Sequence, residues 1–226
     1  MNSGKSTALL QAAFNYEERN QQVLLAKPKI DTKGDDLIVS RLGVAREVDF
    51  TIAPADDIYQ AFQLNRARVI RETGVDVSCL LVDESQFLTE AQVDDLLRIA
   101  ILEGVPVLAY GIRTDFQTVA FPGSRRLLEI SHSLEELKTI CRCGRKAIFN
   151  ARKIGDRYIF DGDQVAIDTS GGAGVSSDQD GGGPQDVTYE SLCGVCYLEE
   201  SDGVLNNGWR PKADFSYRSA PDPDFT

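Results

Sequence analysis

Apolar residues recur along the first half of the chain in two alternating rhythms. From Lys5 to about Glu18, Leu9, Ala12, Ala13 and Tyr16 keep the spacing of one helical face. The unbroken run "QVLLAKP", closing residues 21–28, predicts a short buried strand stopped by Pro28. "KIDTKGDDLIVSRLG" (29–43) carries turn signals and reads as a polar loop. Ile58, Ala61, Phe62 and Val69 predict a second helix over 55–71. "SCLLVDE" (78–84) is a further short apolar strand, and it ends in two carboxylates. Thr89-Glu90-Ala91-Gln92 fits a capping box opening a helix whose face carries Val93, Leu96, Leu97 and Ala100. "VPVLAYGI" (105–112) predicts another buried strand. Short unbroken strands alternating with helices predict an α/β fold, a parallel sheet covered on both faces.

The rhythm changes near Thr139. Residues 139–165 read as short β segments around Cys141 and Cys143, and 168–186 are rich in Gly, Ser and Asp with almost no apolar side chain. A long mobile loop is expected there. After about Glu200 the chain has turn residues, little periodicity and a proline-rich end, so a disordered tail is expected. The domains expected are 1–138 for the sheet, 139–198 for a small cysteine-bearing β domain, and 199–226 for the tail.

Composition narrows the partners. A chain of 226 residues, 42% hydrophobic and 26% charged, can bury a real core. A formal net charge of −11 disfavours nucleic acid or an anionic membrane as the main partner, since both prefer a basic face. No apolar run approaches the roughly 18 residues of a membrane span, and no signal-peptide pattern opens the chain. The cytoplasm is the expected location. Four of five cysteines fall into two close pairs, Cys141/Cys143 and Cys193/Cys196. In a reducing compartment such pairs point to metal rather than disulfides.

Three groups carry candidate chemistry. Gly4-Lys5-Ser6, followed by Thr7, reads as the closing half of a P-loop. In that motif backbone N–H groups at a helix N-terminus cradle phosphates, the lysine reaches the outer phosphates, and the hydroxyl ligates Mg²⁺. Only three residues precede Gly4, so the first strand and the front of the loop are expected to be missing from the chain as written. Asp83-Glu84 at a strand end supplies an acid for Mg²⁺ and a neighbour able to take a proton from an attacking hydroxyl. Their presence assigns the sheet to the P-loop nucleotide-binding class. "CRCG" (141–144) and "CGVC" (193–196) can place four thiolates around one tetrahedral Zn²⁺, a closed and therefore structural site. Lone Cys79 reads as core packing and His132 as a surface residue.

These pieces stand in a recognisable order. The "GKST" start, "VDESQF" (82–87), "YGIRTDF" (110–116), "FPGS" (121–124), "TICRCGRKAIFNAR" (139–152) and "YESLCGVCY" (189–197) resemble thymidine kinases of the type II, zinc-containing kind, most closely the bacterial form. The resemblance runs from Met1 to about Tyr197. It implies transfer of the ATP γ-phosphoryl group to the 5′-hydroxyl of thymidine, with deoxyuridine as a second acceptor, giving dTMP for DNA precursor synthesis. Gly4, Lys5, Ser6, Thr7 and Asp83 would bind ATP and Mg²⁺, and Glu84 matches the family's catalytic base. Phe116 matches an aromatic packed on the thymine ring, and Tyr189 the tyrosine of the lasso loop at the nucleoside. Backbone groups near Ala166 and Ile167 would read the base edge, while Met1 and Ile112 would line the pocket. The resemblance also implies a homotetramer with dTTP as feedback inhibitor.

The sequence departs from that pattern beyond its missing front. Lys33 stands where the family often has Arg, and the lasso is longer and richer in glycine. A rival reading is a P-loop ATPase or nucleotide-binding regulator in which Glu84 activates water; thymidine-independent ATP hydrolysis would favour it. A zinc-knuckle nucleic-acid binder fits poorly with the acidic charge.

Overall fold

The computed structural model describes residues 4–29, 36–40, 43–162, 187–203 and 205. Met1, Lys33, Ala166, Ile167, the glycine-rich loop and the tail beyond 205 therefore lie outside the described residues. The chain forms two compact units. Of the described residues, one unit holds those from Gly4 to Arg113 together with Ala120–Leu137; the other holds Thr114–Val119 and those from Lys138 onward.

The first unit begins with helix α1 (Lys5–Glu17), strand β1 (Gln22–Pro28), and a small antiparallel pair, β2 (Leu37–Val39) and β3 (Ala45–Glu47). β4 (Phe50–Ile52), α2 (Ile58–Thr73), β5 (Val77–Val82), α3 (Glu90–Leu102), β6 (Val107–Ala109) and α4 (Pro122–Ile130) follow. A single 3₁₀ turn, Ser85–Phe87, links β5 to α3. The sheet runs β4-β1-β5-β6, each neighbouring pair parallel, with Leu24 opposite Leu80 and Leu81 opposite Leu108.

Strand alternation divides the core between the two faces of this sheet. Leu24, Ala26, Leu80 and Val82 point to one face and pack with Phe62 of α2 and with Val93, Leu96 and Ile99 of α3. Val23, Leu25, Cys79 and Leu81 point to the other and pack with Leu9 and Ala13 of α1. Cys79 is fully buried there, as core packing requires, and burial raises its thiol to about 11. Each fully buried Leu contributes about 1.5–3 kcal/mol, so these two strands hold the unit together. The expected capping box is present: Gln92 N–H donates to Thr89 Oγ1 and Thr89 N–H to Gln92 Oε1.

Three expectations change. Part of the segment read as a polar loop is strand β2, which pairs with β3 around buried Ile38. The strand expected over 105–112 pairs only over Val107–Ala109: Tyr110 N–H still donates to Val82 O of β5, but its carbonyl accepts from Ser85 N–H of the 3₁₀ turn, against which Gly111 is closely packed. Helix α4, carrying no long periodic run, was not anticipated.

The second unit contains the hairpin β7 (Thr139–Ile140) and β8 (Lys146–Ala147), then β9 (Phe149–Ile154), β10 (Arg157–Ile159), β11 (Val187–Leu192) and helix α5 (Gly194–Glu200). β9 is the middle of an antiparallel three-stranded sheet, order β10-β9-β11. Its small core joins Ala147, Ala151, Leu192 and Tyr197 to the buried cysteines. The segment Thr114–Val119 belongs to this unit by polar bonds: Asn150 Nδ2 donates to Thr114 O (3.0 Å) and Tyr197 Oη to Phe116 O (2.7 Å). Among the described residues no helix is long and apolar enough to cross a membrane.

Candidate active site and cysteine cluster

In the first unit the candidate residues meet where α1 begins and β5 ends. Gly4 caps α1 with φ +69°, the left-handed conformation glycine adopts without strain, and its carbonyl accepts from Ala8 N–H at 2.9 Å. Lys5, Ser6 and Thr7 form the first turn, where helix N–H groups and the dipole favour an anion. Ser6 Oγ donates to Asp83 Oδ2 at 3.1 Å. The pair thus presents two adjacent oxygen donors, the hard-ligand chemistry that Mg²⁺ accepts.

Asp83 is 3% exposed. Its other oxygen accepts the Glu84 backbone N–H at 2.9 Å. Burial, and then the neighbouring Glu84 carboxylate, raise the Asp83 carboxyl above its ordinary value. The Glu84 N–H, the Ser6 hydroxyl and the Lys5 charge oppose that rise. A cation at this point would complete the neutralisation.

Glu84 is half-buried and sits at φ +49°, ψ +35°, a left-handed conformation that costs a non-glycine residue about 1–2 kcal/mol. Strain of this kind at a strand end turns the side chain out of the ladder's alternation. The following turn is pinned: Ser85 N–H and Ser85 Oγ both donate to Tyr110 O at 2.9 Å. Glycines make the pinning possible. A Cβ on Gly111 would stand 2.7 Å from Ser85 Oγ, and one on Gly123 would stand 2.6 Å from Ser85 O.

The candidates in the second unit are Phe116, Tyr189 and the cysteines. Phe116 is 1% exposed, and the Arg152 guanidinium lies 3.8 Å from its ring centre. Tyr189, on β11, stands directly opposite Arg152 of β9 in the ladder. Arg152, a buried cation the sequence reading did not single out, thus touches Phe116 with its side chain and pairs with Tyr189 across the ladder. Asp115 fixes the loop that carries Phe116, its Oδ1 accepting from Gln117 N–H (2.9 Å) and Val119 N–H (2.8 Å).

The sulfurs of Cys141, Cys143, Cys193 and Cys196 all lie within 4.8 Å of one another, and Cys143 Sγ is 3.5 Å from Cys193 Sγ. A disulfide needs about 2.05 Å. Four sulfurs at about 2.3 Å from one tetrahedral ion stand about 3.8 Å apart, so the cluster suits a single zinc ion. The β7–β8 turn aims the first two thiols, with Gly144 at φ +90° and Cys141 N–H donating to Arg145 O at 2.8 Å. Cys193 caps α5 and accepts Cys196 N–H at 3.5 Å, which aims the second pair. The Arg145 backbone N–H, helped by neighbouring thiols, lowers exposed Cys143 to about 7, whereas burial raises Cys193 and Cys196. One thiol is thus ready to ionise, and a bound cation would carry the others with it.

The chain is similar to known proteins of one family. The family model described as thymidine kinase covers residues 1–197. A thymidine kinase of Legionella pneumophila (strain Paris) is 45% identical over 172 residues, which is 74% of this chain and 78% of that protein. The thymidine kinase of Enterobacteria phage T4 is 44% identical over 169 residues, 74% of this chain and 84% of that protein. One from Chromobacterium violaceum is 40% identical over 199 residues, covering 87% of this chain and 93% of its own.

Proposed function

The chain belongs to the thymidine kinase family, and from that membership we propose the following working of its site. It is a kinase that transfers the ATP γ-phosphoryl group to thymidine. The thymidine 5′-oxygen forms a bond to the γ-phosphorus while the bond from that phosphorus to the β–γ bridging oxygen breaks, its electron pair leaving with ADP. The 5′-hydroxyl proton passes to the Glu84 carboxylate. Gly4, Lys5, Ser6 and Thr7 hold the phosphates, and Ser6 Oγ with Asp83 would hold the accompanying Mg²⁺, which neutralises phosphate charge. Phoshoryl transfer asks for little more than positioning, neutralisation and a base beside the acceptor.

One observation carries this reading: the hydrogen bond from Ser6 to Asp83 joins the phosphate-binding helix start to the strand end bearing Glu84. By the resemblance, Phe116, Ile112, Tyr189, Met1, Ala166 and Ile167 would line the nucleoside pocket. The four cysteines hold one structural zinc. The same resemblance supports a cytoplasmic homotetramer inhibited by dTTP. Glu84→Gln is expected to lower the thymidine-dependent kcat about 10²–10⁴-fold while nucleotide binding, followed by calorimetry, stays within a few-fold. An unchanged kcat would remove Glu84 from the role of base.

A further inference from the structure

Gln86 is 1% exposed, and a buried carboxamide is costly unless both of its ends are satisfied. Both are. Its Nε2 donates to Glu84 Oε2, and its Oε1 accepts the Ile112 backbone N–H at 3.2 Å. The partners fix which end is which, because a carboxylate only accepts and a backbone N–H only donates. A side chain here must therefore offer one donor and one acceptor on a single planar head. Glutamine does so at any pH; Leu and Met do not, and Glu does so only when protonated.

The anchor behind Gln86 is itself held. Ser124 Oγ donates to Ile112 O at 2.6 Å, so the Ile112 backbone is bonded through both its N–H and its C=O. Gly111 lets this segment come close, since a Cβ there would stand 2.9 Å from Gln86 Oε1. On the other side, Asp83 Oδ1 fixes the Glu84 backbone N–H. Glu84 is thus tied at its main chain by Asp83 and at its carboxylate by Gln86.

We infer that Gln86 is a positioning residue for phosphoryl transfer, its carboxamide clamping the Glu84 carboxylate against the Ile112 backbone. The inference rests on Glu84 being the base. With Oε2 occupied by Gln86, proton abstraction falls to Oε1. The base is then held in register with the segment that carries the pocket residue Ile112, rather than swinging on its own rotamers. Held geometry of this kind matters most in the transition state, so its loss should appear in kcat.

The test is steady-state kinetics on the full chain with Gln86→Leu and Gln86→Glu, each made alone and combined with Glu84→Gln. Leu keeps the approximate volume and removes both bonds; Glu, assayed at a pH where it is ionised, keeps the acceptor for Ile112 and removes the donor to Glu84. The expected result is a kcat at least tenfold lower for both, with KM for thymidine and ATP within about threefold of the parent. In the Glu84→Gln background neither change should lower the residual rate further, because the residue it positions is already gone. Equal losses in both backgrounds, or a raised KM with kcat kept, would overturn the inference and assign Gln86 to packing or binding. If Gln86→Leu fails to fold by circular dichroism, the Gln86→Glu cycle decides alone. A fully active Glu84→Gln would instead strike the base assignment, and the positioning role with it.

Discussion

The two units fix their candidate groups by different means. In the sheet unit, Ser6, Asp83, Glu84 and Gln86 stand on a helix start and a strand end backed by two apolar layers. In the cysteine unit three of the four thiols, Cys141, Cys193 and Cys196, are part of the small core they would organise, alongside Ala147, Ala151, Leu192 and Tyr197, while Cys143 is exposed at its edge. A site backed by a large core can tolerate charge and backbone strain, as buried Asp83 and left-handed Glu84 do. A core this small needs a further cross-link, and a metal ion is the cross-link its residues suit.

The strongest way to break this comparison is to remove the proposed zinc by chelation. Chelation should lower hydrogen-exchange protection of the β9 and β11 amides by roughly three orders of magnitude, equivalent to about 4 kcal/mol. Amides of β1 and β5 should stay within a few-fold of their original protection. Retained protection in β9 and β11 would mean that the small core suffices unaided. An equal loss in β1 and β5 would mean that the sheet unit does not stand on its own layers.

The same contrast explains what was legible in the sequence. β1 and β5 are buried on both faces, so their unbroken apolar runs identify them, and the Thr89/Gln92 box marks the start of α3. Paired cysteine spacing found the cluster because metal-ligating residues are chemically distinctive. Gln86 and Arg152 passed unnoticed, since a buried polar residue looks like any other polar residue until its partners are known. Gln86 did lie inside the quoted "VDESQF", where the adjacent carboxylates were the only available signal. The attachment of Thr114–Val119 to the cysteine unit was also hidden, because Gln117 Nε2 donates to the main-chain carbonyls of Phe160 (3.2 Å) and Gly162 (3.0 Å). Bonds to carbonyls leave no mark on the residue type that accepts them.

Two glycines sharpen the comparison at a smaller scale. A Cβ on Gly123 would meet the carbonyl oxygens of Ser85 at 2.6 Å and Leu88 at 2.7 Å, so α4 would have to retreat from the turn that carries Gln86. Gly123→Ala should cost about 1–3 kcal/mol by urea unfolding. A Cβ on Gly194, at the start of α5, would meet only Phe149 Cε2 at an ordinary 3.5 Å. Gly194→Ala should stay within about 0.5 kcal/mol of the parent. Equal costs at the two positions would show that close packing around the turn is not what sets the sheet unit apart.

The smallest expected effect concerns surface charge. Arg66 bonds both Asp76 (2.6 Å) and Glu103 (2.7 Å), linking α2 to the start of β5 and the end of α3. The Arg66 hydrogen bond is the main reason the Asp76 carboxyl lies below its ordinary value, and a Tyr59 hydrogen bond does most to lower Glu103. Asp76 is 52% exposed, so solvent screening limits the pair to well under about 1 kcal/mol. A depressed carboxyl stabilises the fold above its unfolded pKa, about 3.9 for Asp, and loses that contribution as pH falls through the lower folded value. Arg66→Met should therefore lower Tm slightly and evenly above about pH 5, with the gap closing below about pH 4. A gap of several degrees that persists in acid would mean that Arg66 acts through packing of its stem on Phe62, whose ring centre lies 5.9 Å from the guanidinium. The apolar layer of the sheet unit would then extend out to this arginine, and the contrast with the cysteine unit would widen.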